Sequence, residues 1–330
     1  MKDFSVLLLD WYKINKRDLP WRRNPTPYRV WVSEIMLQQT RIEAAKSYFE
    51  RFTAALPDVR TLAAVEEEQV LKLWEGLGYY SRARNMHLCA RRIMDEYGGE
   101  FPASAEELRR LPGIGDYTAG AIASIAFSLP EPAVDGNVCR VLARLERFPE
   151  SIGSDRVKSL FREELRNILP ASAPGDFTAA LMELGETVCT PGVPSCADCP
   201  LREICLAHAC GEETLFPVLP EKKARRVENR RVFLLLCGDR VAVRRRPDQG
   251  LLAKLWELPN DTAFSAPENA EFCGEATHVF SHVEWHMRGY ILRLAEETPE
   301  YRWVTAEERH SLAMPTAFRY YTGILDRMGY

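Results

Sequence analysis

The sequence predicts two domains of different class: an all-helical domain followed by a smaller α+β domain. Three observations carry this. From Phe4 to Val188 apolar residues recur at helical spacing, interrupted only by glycine and proline breaks. Four cysteines, Cys189, Cys196, Cys199 and Cys205, then fall close together. Beyond Arg226 the period shortens to two, with strand-like runs and a two-residue turn. A chain of 330 residues is long enough for both domains to bury a core.

The first element is an amphipathic helix from Phe4 to Ile14. Leu19-Pro20-Trp21-Arg22-Arg23 follows as a loop with a basic, aromatic edge, which reads equally as a core tryptophan beside solvated charges. The next helix, Tyr28 to Gln39, is apolar nearly all round, and such a helix is buried. Glu34 sits in its middle. A buried carboxylate is costly unless paired or protonated, so Glu34 either emerges at a helix edge or has a raised pKa suited to a general acid. Two more helices are expected, roughly Leu62 to Trp74 and Ser81 to Tyr97. Between them Gly76-Leu77-Gly78-Tyr79-Tyr80 holds two aromatics on a turn, fit either to wedge into a base stack or to return to the core.

The stretch from about 104 to 127 reads helix, tight turn, helix. Ser104 with Glu107 is a capping box. Pro112-Gly113-Ile114-Gly115 breaks the first helix and leaves bare N–H groups at the start of the second, which favours a phosphate. That second helix is small and apolar (Ala119, Gly120, Ala123, Ala126) and ends at Ser128-Leu129-Pro130. Asp135 then opens a third helix, Gly136 to Leu145. An N-cap is the simplest role for an aspartate there. Helices from Ser154 to Leu169 and from Asp176 to Val188 complete the region.

The four cysteines are separated by six, two and five residues. Thiolates so close form a closed metal site, either zinc or an iron–sulfur cluster; free thiols are the remaining alternative. The segment 208–226 carries Gly211, Pro217, Pro220 and a basic run, and reads as a linker. In the second domain, Val232 to Cys237 and Val241 to Arg245 flank a Gly238-Asp239 hairpin turn. Val283, Trp285, Met287 and Ile291 alternate along another strand, and Trp303-Val304 mark one more.

Composition sets outer limits. The chain is 46% hydrophobic and 27% charged, ordinary values for a globular protein. It has no apolar run of membrane-spanning length and no signal-like start, so a cytoplasmic protein with no membrane partner is expected. The net charge of −4 leaves nucleic-acid binding to local patches. Nine cysteines in that compartment are not read as disulfides.

Glu34 in Glu-Ile-Met-Leu-Gln-Gln-Thr-Arg, Pro-Gly-Ile-Gly followed by Val134-Asp135-Gly136-Asn137, the cysteine spacing and the α+β tail stand together. They resemble the adenine DNA glycosylases of the MutY type, within the helix-hairpin-helix base-excision superfamily that also holds endonuclease III. The resemblance covers almost the whole chain. It implies a helical glycosylase domain over 1–207, a linker over 208–226 and a Nudix-like domain over 227–330. It implies a [4Fe–4S] cluster on Cys189, Cys196, Cys199 and Cys205, in a loop spanning 189–205. It implies a monomer that removes adenine opposite 8-oxoguanine or G in duplex DNA after flipping the base. Glu34 is the implied general acid, Asp135 the stabiliser or nucleophile for the sugar cation, and Tyr117 and Asn137 their positioning partners. Arg22, Gln39, Thr40, Tyr79, Gly113 and Gly115 are the implied DNA contacts, and Phe280-Ser281-His282 the reader of 8-oxoguanine. Bifunctional relatives carry a lysine where Tyr117 stands. Gly250-Leu251-Leu252-Ala253-Lys254-Leu255-Trp256-Glu257-Leu258-Pro259 resembles Nudix hydrolases, but Asp261, Glu268 and Glu271 lack the spacing of a metal box, so recognition rather than hydrolysis is implied. The alternatives are a thymine or uracil mismatch glycosylase, a Nudix hydrolase with a helical appendage, and a non-catalytic DNA-binding scaffold with a redox-sensing cluster.

Overall fold

A computed structural model of the chain describes residues 2–221, 224–262 and 269–330. Glu268 lies outside the described residues. The chain divides into two compact units, Met1–Ala63 with Leu88–Glu221, and Ala64–His87 with Lys222–Tyr330.

The first unit is helical. It begins with α1 (Lys2–Asn15), α2 (Pro27–Leu37), α3 (Ile42–Ala55) and α4 (Val59–Ala64). Thr26 caps α2 with Pro27 in its first turn, and every residue from Val30 to Met36 is buried. The expected single helix over Leu62 to Trp74 is in fact two, α4 and α5 (Glu67–Leu73). Glu66 is extended at the break, and the Val65 carbonyl meets His87 Nε2 at 2.9 Å instead of continuing a helical ladder. α3, whose Ala45, Phe49 and Phe52 are buried, is a further helix beyond those expected from the sequence.

α6 (Ser81–Tyr97) leads to the hairpin formed by α7 (Ala105–Arg109) and α8 (Asp116–Phe127). Ser104 caps α7 by accepting the Glu107 N–H. Gly113 takes a φ of 75°, the left-handed conformation the turn requires. A Cβ on Gly120 would sit 2.5 Å from the Pro132 carbonyl oxygen, so this glycine lets the segment before Asp135 lie directly on α8. Then come α9 (Gly136–Glu146), α10 (Asp155–Ile168), α11 (Pro174–Thr187) and the short α12 (Leu206–Ala209). Phe4, Leu8, Val138, Leu142, Phe161, Phe177 and Leu181 share one core. Part of the expected linker packs on this unit, where Ile152 donates to the Val218 carbonyl at 3.1 Å.

The second unit is built on a mixed sheet of β1 (Arg226–Cys237), β2 (Arg240–Arg245), β3 (Trp256–Glu257), β4 (Asn260–Asp261), β5 (Glu271–Val279), β6 (Val283–Arg293) and β7 (Arg302–Val304). The strand order is β3-β2-β1-β6-β5, with β4 on β1 and β7 on β2. β1 and β6 run parallel; β1 and β2 form the expected hairpin, with Leu236 opposite Val241. Val232, Leu234, Leu236, Trp285 and Met287 alternate into a core shared with Tyr321 and Leu325 of α14 (Arg319–Met328), which follows α13 (Ala306–Ser311) in the chain. The segment 64–87 belongs here: Glu68 accepts from Trp256 Nε1 at 2.5 Å, and Lys72 donates to the Leu312 carbonyl at 2.9 Å. No helix among the described residues is long and apolar enough to cross a membrane.

Candidate active site

Packing of α2 against α8 brings Glu34 and Tyr117 together. Glu34 is 5% exposed, and the Tyr117 hydroxyl donates to its Oε2 at 2.5 Å. Burial pushes the Glu34 carboxyl up to about 7, against the Tyr117 hydrogen bond, which lowers it. The Asp135 charge adds to the rise and Arg22 opposes it.

Asp135 is the N-cap of α9, accepting from Val138 N at 2.7 Å. The N-cap and the functional reading are thus compatible, since one carboxylate oxygen caps and the other accepts from Asn137 Nδ2 at 3.1 Å. Burial raises the Asp135 pKa, and the N–H groups of Val138 and Asn137, with Arg140, counter it. Asn137 also donates to Glu186 Oε1 at 3.2 Å and accepts from the Arg140 guanidinium at 2.9 Å.

Glu34, Tyr117, Asp135 and Asn137 line one cleft of about 1780 Å³. Gln39 and Thr40 lie on its rim, after the end of α2, with Gln39 exposed and left-handed at φ 59°. Gly115 reaches the cleft as the cap of α8, with no side-chain bond to the first turn. Arg22 also lines the cleft, but its guanidinium is held by Glu183, at 2.8 Å. Glu183 is fully buried and accepts from Arg17 as well, at 2.7 Å and 3.0 Å. Trp21 is core, edge-on to Phe49 at 5.4 Å.

Tyr79 belongs to the second unit. The two tyrosines of its turn part company: Tyr80 is buried and Tyr79 is 46% exposed at φ 47°. Arg82 braces the turn, stacking on Trp74 and Tyr79 and donating to the Gly78 carbonyl. In the same unit Phe280 packs on Trp285 and His278, which leaves Ser281 and His282 exposed on the turn between β5 and β6. Asp261 is clamped by Arg231, and buried Glu257 by Arg244 and Arg246, so these carboxylates are committed to ion pairs. Glu271 is exposed on β5.

Cys189, Cys196, Cys199 and Cys205 line a single small pocket with Val141, Leu184, Val188 and Leu201, and none is in a disulfide. Buried Arg144 donates to Cys189 Sγ at 3.4 Å and to the carbonyls of Thr190 and Gly192 at 2.8 Å, pinning the loop around the pocket. Four convergent soft donors with apolar walls fit a four-cysteine iron–sulfur group. Cys196, His208 and Glu213 also bring their ligand atoms within 4.8 Å of one another, a mixed donor set.

Sequence reasoning missed Glu183, Glu186 and Arg140. Glu183 and Glu186 sit three residues apart on α11, which places both on one helix face, but nothing in a lone sequence marks that face as the cleft wall.

Residues 32–167 match the family described as HhH-GPD superfamily base excision DNA repair protein, and residues 231–322 match a NUDIX domain. A thermostable thymine-DNA glycosylase shares 25% identity at a TM-score of 0.56, over 63% of this chain and 97% of that one. The endonuclease III of a non-covalent DNA complex shares 25% identity at a TM-score of 0.54, over 64% and 98%. A helical hairpin scaffold of this kind defines a base-excision DNA glycosylase, an enzyme that acts on N-glycosyl bonds. The adenine DNA glycosylase of Homo sapiens is 36% identical over 97% of this chain and 74% of its own length. That of Buchnera aphidicola subsp. Acyrthosiphon pisum is 32% identical over 88% and 87%. The chain belongs to the adenine DNA glycosylase family.

Proposed function

We propose that the chain, acting as a monomer, hydrolyses the N-glycosidic bond of adenine paired with 8-oxoguanine or G, and leaves an intact abasic site. The observation that carries this reading is the pairing of a buried, proton-retaining Glu34 with Tyr117 in the cleft that Asp135 also lines. Adenine is a poor leaving group until protonated on its ring. A carboxyl pushed up to about 7 holds a proton for that transfer near neutral pH. Bond breaking leaves positive charge on the sugar. Asp135 meets it as an anion, favoured there by its N–H donors and by the cation itself. Asp135 stabilises that cation or traps it until water attacks.

The target base must leave the stack to enter the cleft. Gly113 and Gly115 receive a backbone phosphate at the start of α8, while Gln39, Thr40, Arg22 and Tyr79 contact the duplex. Ser281, on its exposed turn with Phe280 and His282, hydrogen-bonds the altered edge of 8-oxoguanine. Cys189, Cys196, Cys199 and Cys205 hold a [4Fe–4S] cluster, which cross-links the loop 189–205 and holds it folded.

The test is incubation with duplexes carrying A opposite 8-oxoguanine, A opposite G, and T opposite G, followed by alkali. Strand breaks at A in the first two, and only after alkali, are expected. Preferential loss of T would assign the chain to mismatched-pyrimidine repair.

A further inference from the structure

Of the carboxylates that line the cleft, Glu186 is one that the reaction as described does not use. Glu186 is exposed in the last turn of α11, and its Oε1 accepts from Asn137 Nδ2 at 3.2 Å. A negative charge at a helix C-terminus opposes the helix dipole, so its place there is not explained by helix stability. We propose that Glu186 is a positioning residue: it fixes the Asn137 amide so that the NH2 group, and not the amide oxygen, faces Asp135. This rests on the assignment of Asp135 to the reacting sugar.

The geometry around Asn137 is fully specified. The amide nitrogen has two hydrogens. One goes to Asp135 Oδ2 at 3.1 Å and the other to Glu186. The amide oxygen accepts from Arg140 at 2.9 Å. In the flipped rotamer an oxygen would face two carboxylates and an NH2 group would face a guanidinium. Arg140 in turn donates to the Gly185 and Cys189 carbonyls, both at 2.8 Å, so the oxygen side of the amide is anchored. Gly185 supplies the close approach: a Cβ there would lie 2.8 Å from Asn137 Cβ. The next residue along α11 is therefore delivered to the amide. Without Glu186 the second hydrogen faces water, and the amide keeps only its bonds to Asp135 and Arg140, so it is held less tightly against Asp135.

The experiment measures single-turnover adenine release from an A:8-oxoguanine duplex by Glu186→Ala, Glu186→Gln, Asn137→Ala and the Glu186→Ala/Asn137→Ala double variant, with duplex affinity and melting temperature alongside. Loss of one hydrogen bond to a charged group slows Glu186→Ala by about tenfold. Affinity and melting temperature stay at wild-type values. Glu186→Gln, whose amide oxygen accepts the same hydrogen, recovers most of the rate. The double variant is no slower than Asn137→Ala, because Glu186 acts through that side chain. Glu186→Gln as slow as Glu186→Ala shows that charge matters rather than the amide, and overturns the proposal. So does full additivity in the double variant, or a wild-type rate for Glu186→Ala beside a slow Asn137→Ala. A wild-type rate for Asn137→Ala overturns the reading of the site itself, and the proposal with it.

Discussion

The Tyr117 hydroxyl donates to Glu34 Oε2 at 2.5 Å, joining α8 of the hairpin to the buried middle of α2. This bond and burial pull the Glu34 proton in opposite directions, and burial is the larger effect. The bond favours the carboxylate, so Tyr117→Phe raises the Glu34 pKa further above its present value of about 7. A general acid works only while protonated, so activity falls as pH rises through that pKa. The alkaline limb of the single-turnover rate profile therefore moves to higher pH in Tyr117→Phe. A limb that stays in place or moves down shows that the phenol does not set the proton on Glu34.

The proposed product, an intact abasic site, also rests on Tyr117. β-Elimination needs an amine that attacks C1′ of the sugar, and a phenol forms no iminium. Tyr117→Lys should convert part of the product into a borohydride-trappable complex and a strand cleaved without alkali, at reduced excision rate. Efficient trapping by the unmodified chain on a denaturing gel would sink this account.

Glu183 bears on stability. Its side chain is 0% exposed and satisfied by Arg17 and Arg22. Burial opposes its ionisation, but the two arginines outweigh it and hold the carboxyl below the usual range. Glu183→Ala leaves both cations without their partner and should cost about 3 kcal/mol in denaturant unfolding. A group with a depressed folded-state pKa stabilises above its unfolded pKa and loses that effect as pH falls through the folded one. The gap between wild type and Glu183→Gln is thus widest at neutral pH and closes in acid. A gap that does not depend on pH contradicts this assignment.

The cysteine pocket makes a compositional prediction. Purified protein should be yellow-brown, with about four irons per chain. Cys199→Ser should lower soluble yield or duplex affinity, because the loop is folded by its metal. Stoichiometric zinc without iron in anaerobically prepared protein would contradict the iron–sulfur assignment, since four cysteines also suit zinc.

Much of the architecture is legible in the sequence because it depends on local chemistry. The hairpin follows from Ser104, Gly113 and Gly115, and the burial of α2 from an apolar run around Glu34. The β1–β2 hairpin follows from Gly238-Asp239. What is not legible depends on tertiary partners. The break at Val65 and Glu66 is tied to His87, in the middle of α6. Arg22 looks like a free basic residue until α11 presents Glu183 to it. Asp135 reads as an N-cap, and only the packed structure shows the burial that raises its pKa.

The central claim is that Glu34 supplies the proton and Asp135 the countercharge. The measurement that tests it most directly is single-turnover adenine release from an A:8-oxoguanine duplex by Glu34→Gln and Asp135→Asn, with duplex affinity measured on the same preparations. The account predicts that each variant loses roughly a hundredfold or more in rate. Affinity is retained, because binding rests on phosphate and duplex contacts rather than on these carboxylates. Release by Glu34→Gln within about tenfold of wild type, with its duplex affinity intact, would contradict it.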